Sequence, residues 1–167
     1  MLDFIVGNLC SLLAMATDSI SSTRKKAREV LLLQALSQLI YCIGSIVLKG
    51  YSAAVQNAVS VIRNLTATRE NVHKSVEWLL IILGVGLGLY FNNRGLFGWL
   101  PIIANLEYSL AVFRFKNNER LLKISFAISI LLYAIFNAII LNIVGVVSNL
   151  VVLSMTLIFL IKNKNDL

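Results

Sequence analysis

The chain is dominated by apolar stretches of roughly 17 to 23 residues, each long enough for a helix to cross the hydrocarbon core of a bilayer. A segment that crosses lipid must satisfy its own backbone hydrogen bonds, so such stretches fold as helices. The composition agrees, because 58% of the 167 residues are hydrophobic and 14% are charged, which leaves too few polar residues to cover a soluble domain. The sequence therefore predicts an all-α integral membrane protein with seven transmembrane helices. The predicted spans are residues 2–20, 29–48, 51–67, 75–91, 95–114, 121–141 and 143–161.

The basic residues indicate how these helices are oriented, because positively charged loops are retained on the cytoplasmic side of a membrane. With seven spans, one side of the membrane collects thirteen of the fifteen Lys and Arg residues. They are Arg24, Lys25, Lys26, Arg28, Arg63, Arg69, Lys74, Arg114, Lys116, Arg120, Lys123, Lys162 and Lys164. The opposite side has Lys49 and Arg94. This division predicts an N-out, C-in protein, and it supports the third span, which is the least apolar of the seven. Loop charges and lipid headgroups account for the net charge of +7, so no nucleic-acid partner is expected.

An internal repeat relates the two ends of the chain. A shift of 92 residues gives eight identities in 25 ungapped positions, between residues 35–59 and 127–151. Matches between aliphatic residues carry little weight, because apolar helices align easily by chance. The matches that carry more weight are Tyr41 with Tyr133 and Asn57 with Asn149.

This repeat divides the chain into two predicted three-helix units. The first unit covers residues 1–67, a linker helix lies within 68–94, and the second unit with a short cytoplasmic tail covers 95–167. Because a single helix joins them, the two units are predicted to be parallel in the membrane. A shift of 97 also pairs Asn8 with Asn105, with the change of five residues assigned to a longer first cytoplasmic loop.

Three short motifs carry a resemblance to a known family. They are Arg24-Lys25-Lys26, Lys49-Gly50-Tyr51-Ser52-Ala53-Ala54, and Asn57 followed by Arg63-Asn64. On these residues the chain resembles the YgjV family of bacterial inner-membrane proteins. Its three-plus-one-plus-three arrangement more broadly resembles the SWEET sugar carriers, the PQ-loop proteins and the PnuC vitamin carriers.

The resemblance implies a multi-pass protein of the bacterial inner (cytoplasmic) membrane. It also implies a central pocket between the two units, with one asparagine from the third helix and one from the seventh, here Asn57 and Asn149. The chain departs from the SWEET pattern, because it has no Pro-Gln pair and its one proline is Pro101. That departure bears on the rocking mechanism of these carriers more than on the fold.

Six polar side chains are predicted to share one layer of the membrane, roughly 9 to 15 Å below the outer surface at 1.5 Å per helical residue. They are Asn57, Asn149, Asn8, Asn105, Tyr41 and Tyr133. Carboxamides and tyrosine side chains offer donors, acceptors and flat rings to a polar ligand, so these residues are the predicted substrate-binding set. The alternative is that they only form hydrogen bonds between helices, as polar residues in membrane bundles commonly do.

Three further residues are candidates for a polar path or for proton coupling. Ser60 and Asn64 share the helical face of Asn57 and extend it toward the cytoplasm. Glu107 lies near the middle of the fifth span, where a carboxyl group is by default a functional candidate. Glu107 follows Asn105 by two positions, which places the two side chains about 200° apart on the helix. Glu107 is therefore either a proton-coupling group or a structural carboxyl against a neighbouring helix.

The function that these features favour is a small-molecule facilitator or secondary transporter for an uncharged or weakly polar solute, such as a sugar, a nucleoside or a vitamin. The alternative is a membrane scaffold, accessory subunit or sensor that does not transport. No enzyme is expected, because no nucleophile–base pair is evident. No metal or other cofactor is expected either, and the sequence shows no arginine-lined central site for anions. The expected partners are a small-molecule solute and the lipid bilayer, and a homo-oligomer is left open.

Overall fold

A computed structural model of the protein describes residues 2–69, 71–115, 117–139 and 142–163. Within these ranges the regular structure is helical and contains no β-strand. The seven α-helices are α1 (Leu2–Ser22), α2 (Ala27–Val47), α3 (Tyr51–Ala67), α4 (Lys74–Tyr90), α5 (Trp99–Phe115), α6 (Glu119–Ile139) and α7 (Ile143–Lys162). The predicted all-α class is therefore confirmed.

The helix lengths support a multi-pass membrane protein. Among the described residues, five helical segments are long and apolar enough to cross a bilayer. They are Asp3–Ser22, Ala27–Val47, Gly95–Phe115, Glu119–Ile139 and Ile143–Lys162. The helices α3 and α4 have 17 residues each, which is at the short end of the range for a spanning helix.

One predicted span is divided in the structure. Residues Gly95–Gly98 form a 3₁₀ turn that continues into α5, and Pro101 is the third residue of α5. A proline is tolerated in the first turn, where the backbone N–H has no partner within the helix. The proline therefore leaves the interior of α5 regular.

In α3 the polar residues face inward and the apolar residues face outward, which is the reverse of a helix on the surface of a soluble protein. In α3, Gln56, Ser60 and Arg63 are buried, whereas Ile62 is 53% exposed and Leu65 is 47% exposed. The outer face of α3 is thus suited to lipid even though the helix as a whole is polar. This arrangement explains how the least apolar predicted span belongs to the bundle.

Six helices form a ring, and the seventh lies against it. Along the ring, α1 packs on α2, α2 on α3, α3 on α5, α5 on α6, α6 on α7, and α7 on α1. The remaining helix, α4, packs against α3 and α5. Small residues allow this contact, because a Cβ atom on Gly84 would lie 3.3 Å from Asn105 Nδ2 and one on Gly88 would lie 2.9 Å from Ile102 Cγ1.

The predicted five-residue difference between the α1–α2 and α5–α6 connections is wrong. The first connection joins Ser22 to Ala27 and the third joins Phe115 to Glu119, so the two differ by one residue. Counted back from the last residues of α1 and α5, Asn8 lies about one helical turn farther from the end of its helix than Asn105 does. The pairing of these two asparagines therefore does not follow from the helix positions.

Candidate functional site

A cavity of about 130 Å³ lies inside the ring of six helices. This central cavity is large enough to hold several water molecules or a small ligand. Every ring helix contributes side chains to its wall. The connections α2–α3, α4–α5 and α6–α7 contribute Gly50, Asn93, Arg94 and Asn142, so the cavity reaches the end of the bundle where these connections lie.

Most of the predicted substrate-binding residues line the central cavity. They are Asn57, Asn105, Asn149, Tyr41, Tyr133 and the path residue Ser60. Asn57 Nδ2 donates a hydrogen bond of 3.4 Å to Ser45 Oγ. Asn149 Nδ2 and the Tyr41 hydroxyl are buried and have no hydrogen-bond partner among the described residues. These two groups are therefore free to bind a ligand, and their role in substrate binding remains a prediction.

Three predicted residues, Asn8, Asn64 and Glu107, are absent from the lining of this cavity. Asn8 is half-buried, and its side chain donates to the carbonyl oxygen of Phe4 in its own helix. Asn64 is fully buried and accepts a hydrogen bond of 3.0 Å from Arg63 Nε. The structure thus places these two asparagines in contacts with the protein itself, outside the predicted site.

Glu107 faces a different neighbour from Asn105, as the helical geometry predicts. Its Oε1 atom accepts a hydrogen bond of 2.6 Å from Ser125 on α6. Asn105, two residues earlier on α5, lines the central cavity. The position of Glu107 therefore agrees with a carboxyl group held between helices.

A buried polar network joins α3 to α5 at one wall of the cavity. We call it the α3–α5 network; its members are Gln56, Ser60, Arg63, Asn105 and Ser109. Asn105 Oδ1 accepts from Ser60 at 2.8 Å and from Arg63 Nη1 at 2.5 Å. Arg63 Nη1 also donates to Ser109 Oγ at 3.0 Å. Gln56 accepts from the Asn105 amide and donates to the backbone oxygen of Gly84 on α4.

Arg63 corrects two expectations from the sequence. The pattern of basic residues predicts it at the cytoplasmic face, and no arginine is predicted in the central pocket. Its side chain is instead 1% exposed and lines the cavity. The guanidinium group lies 4.8 Å from the ring centre of Tyr108, a distance at which a cation is attracted to the face of an aromatic ring.

Two other buried residues of the site were missed in the sequence. Asp18 on α1 is 4% exposed and lines the cavity, and its carboxyl group accepts a hydrogen bond from Ser37 on α2. Gln34 on α2 is fully buried and accepts a hydrogen bond from the hydroxyl of Tyr108. Asp18 lies near the predicted end of its span, where a charged residue is usually interfacial, so the sequence contained no signal of its burial.

The end of the bundle opposite the three connections is closed by a second polar group, which we call the Lys123 cluster. Lys123 Nζ donates to the backbone oxygens of Ser22 at 2.6 Å and Arg24 at 2.7 Å. It also forms an ion pair of 2.9 Å with Glu119 and lies 3.1 Å from the ring centre of Phe159. The cluster thereby ties the end of α1 to the beginning of α6.

Apolar packing fills the space between this cluster and the cavity. The residues include Val30 and Leu31 of α2, Val112 of α5, Leu122 of α6 and Val152 of α7. No group of three or more metal-ligating side chains occurs among the residues that the structure describes. The geometry is therefore that of a polar chamber, closed at one end and reaching the connections at the other.

One comparison with known proteins assigns the chain to a family. A family model described as "Imp-YgjV: Bacterial inner membrane protein" matches residues 5–166. No curated protein and no solved structure matches the chain.

Proposed function

Because the chain belongs to the Imp-YgjV family of bacterial inner membrane proteins, we propose that it is a small-molecule facilitator or secondary transporter whose solute occupies the central cavity. Family membership confirms the predicted resemblance to YgjV proteins and supports a multi-pass inner-membrane location. The family description states no activity. The proposal therefore rests on the cavity.

The observation that carries the proposal is that the wall of the cavity repeats at the 92-residue shift. Seven pairs of residues separated by 92 positions line it. The pairs are Gln38 with Ile130, Tyr41 with Tyr133, Gly44 with Phe136, Ser45 with Asn137, Gly50 with Asn142, Ala53 with Gly145, and Asn57 with Asn149. A site built from equivalent positions of two repeats is the arrangement that many secondary transporters use.

The helix positions support the same repeat. Shifting α2 (Ala27–Val47) by 92 residues gives the bounds of α6 (Glu119–Ile139), and α3 and α7 begin at Tyr51 and Ile143. The α2–α3 and α6–α7 corners also contain the same backbone hydrogen bond. Gly50 N donates to Ser45 O and Asn142 N donates to Asn137 O, each at 2.8 Å. Such a bond, spanning five residues, satisfies a carbonyl group at the end of a helix.

On this basis we propose seven transmembrane helices arranged as two parallel three-helix repeats around a linker helix, N-out and C-in, as in SWEET-like carriers. The order of contacts around the ring supports it, because α1–α2, α2–α3 and α3–α5 become α5–α6, α6–α7 and α7–α1 when the halves are exchanged. Labelling of single cysteines from outside, in a variant with Cys10 and Cys42 replaced by Ser, tests the orientation. Sites at residue 1 and Lys49 are expected to react, and sites at Lys26, His73, Asn117 and the C-terminus are expected to be protected. Reaction of any protected site from outside in intact cells would contradict the orientation.

In the proposed cycle, solute enters from the end where the three connections lie and displaces water from the polar wall. The amide of Asn149 and the hydroxyl of Tyr41 then find partners on the solute, which offsets the cost of their burial. The Lys123 cluster keeps the other end closed. Release of the solute at the end closed by the Lys123 cluster requires α1 and α6 to separate there.

Counterflow in proteoliposomes tests the proposal. Purified protein is reconstituted and preloaded with members of a panel of sugars, nucleosides, vitamins and small organic acids, and protein-free liposomes serve as the control. We expect at least one solute to exchange faster than in the control, and Asn149→Ala to reduce that exchange. If no member of a broad panel exchanges or alters thermal stability, the transporter proposal is wrong.

The alternative function is a scaffold, accessory subunit or sensor that moves no solute. The α3–α5 network favours it in part, because Gln56, Ser60 and Asn105 are engaged with one another across helices. Under this alternative the polar residues hold the bundle together. Asn105→Ala would then lower the melting temperature, and no member of the solute panel would exchange.

A further inference from the structure

We infer that the solute of the central cavity carries a carboxylate and that Arg63 is the residue that binds it. This inference rests on the proposed function and names the chemical class of its substrate. It revises the expectation of an uncharged solute, because that expectation placed Arg63 at the membrane surface.

Arg63 has no acidic partner in direct contact, because the carboxyl group of Glu107 acts on it only from beyond ion-pair distance and accepts a hydrogen bond from Ser125 instead. No carboxylate of the described residues forms an ion pair with it, and its contacts are with Asn64, Asn105, Ser109 and the ring of Tyr108. A buried cation without a counter-charge is costly, and neutral dipoles offset that cost only in part. An anionic ligand in the adjoining cavity would provide the missing charge.

The hydrogen bonds that Arg63 forms with the protein leave its Nη2 group available. Nε donates to Asn64, and Nη1 donates to both Asn105 and Ser109. These bonds use three of the five N–H groups of an arginine, and none of them involves Nη2. Since the side chain lines the cavity, the N–H groups of Nη2 are available to donate charge-assisted hydrogen bonds to a carboxylate oxygen. The protein bonds also hold the guanidinium in place before the ligand arrives.

Arg63 also breaks the symmetry of the cavity wall. At the 92-residue shift, Ser60 corresponds to Val152 and Arg63 corresponds to Met155. Phe126 and Ile130 of α6 contribute further apolar surface to the wall. The wall formed by α3 and α5 therefore carries a buried cation, whereas Phe126 and Ile130 offer apolar surface, which suits a solute with an acidic group at one end and a less polar body.

Asp18 is the acidic residue among the described lining residues, and it forms no hydrogen bond with Nη2 of Arg63. Its carboxyl group accepts a hydrogen bond from Ser37 on α2. Arg63 is hydrogen-bonded to residues of α3 and α5. The two groups form no ion pair with each other.

The test compares acids with their amides, which have nearly the same size and differ in charge. The probes are acetate and acetamide, lactate and lactamide, nicotinate and nicotinamide, and glucuronate and glucuronamide. Binding to the full chain is measured by thermal stabilisation in maltoside micelles without added lipid, so that anionic lipids do not compete. Uptake of the same probes into proteoliposomes is measured by mass spectrometry.

We expect at least one acid to bind about tenfold or more tightly than its amide, which is the usual size of a charge-assisted hydrogen bond. Arg63→Gln should remove this preference, and Arg63→Lys should retain part of it. The wild-type comparison needs no variant, so it holds even if Arg63→Gln fails to fold. Equal binding of all acids and amides, or an acid preference that survives in folded Arg63→Gln protein, would overturn the inference.

The binding and uptake measurements distinguish this inference from the proposed function. Acid-selective binding without uptake of any probe would support the anion site and count against transport. Uptake of amides with no preference for acids would support transport and count against the anion site.

Discussion

Replacing Lys123 by Met is expected to destabilise the protein strongly, because this lysine is the partner of a buried carboxylate and of two backbone oxygens at the closed end of the bundle. Its side chain is 1% exposed and its partner Glu119 is 6% exposed. The ammonium group also binds the backbone oxygens of Ser22 and Arg24. Met has a similar length and removes the charge while keeping much of the packing.

The size of the expected destabilisation follows from the charge that remains buried on Glu119. Removing one member of a buried ion pair costs about 3–5 kcal/mol, because the remaining charge stays buried without compensation. In the double variant Lys123→Met/Glu119→Gln the uncompensated charge is gone. Its stability should lie between that of Lys123→Met and that of the wild type, since the hydrogen bonds to the two carbonyl groups and the contact with the Phe159 ring remain lost.

Equilibrium unfolding in mixed maltoside and dodecyl sulphate micelles, followed by helical circular dichroism, measures these differences. Lys26→Met is the matched control, because Lys26 is 81% exposed and lies 3.9 Å from Glu29. A pair this exposed contributes little to stability, so the control should unfold like the wild type. Equal effects at Lys26 and Lys123, or a double variant less stable than Lys123→Met, would refute this reasoning.

Three further substitutions have defined expectations. Asn149→Ala should reduce solute affinity roughly tenfold to a hundredfold, because the ligand loses a partner in a dry site, and it should change the melting temperature little. The control in the same counterflow assay is Ser154→Ala, on the exposed face of α7. Gly88→Ala should destabilise the bundle by about 1–3 kcal/mol through overpacking, whereas Gly86→Ala should be neutral in the same unfolding assay, since nothing lies within 4 Å of a Cβ there. Glu107→Gln should leave transport within about twofold, because a neutral amide can still accept from Ser125; a loss of ten times or more would restore the proton-coupling hypothesis for Glu107.

The helices themselves could be predicted from local sequence. Hydropathy is a property of each segment alone, and lipid requires every spanning segment to satisfy its own backbone. The bounds of α3, residues 51–67, agree with the structure even though this helix is the least apolar. The repeat also predicted Asn57 and Asn149 as residues of one site, and both line the central cavity.

What the sequence alone did not determine is which polar residues turn inward near the ends of the helices. A basic or acidic side chain in the last turns of a helix can reach water or point into the bundle, and its own segment is compatible with both. For Arg63 the choice depends on Asn105 and Ser109, which lie 42 and 46 residues away in the chain. For Asp18 it depends on Ser37 across the α1–α2 contact. Burial of a charge is decided by the partners that the packed helices bring to it, so these residues of the site were decided by the tertiary structure.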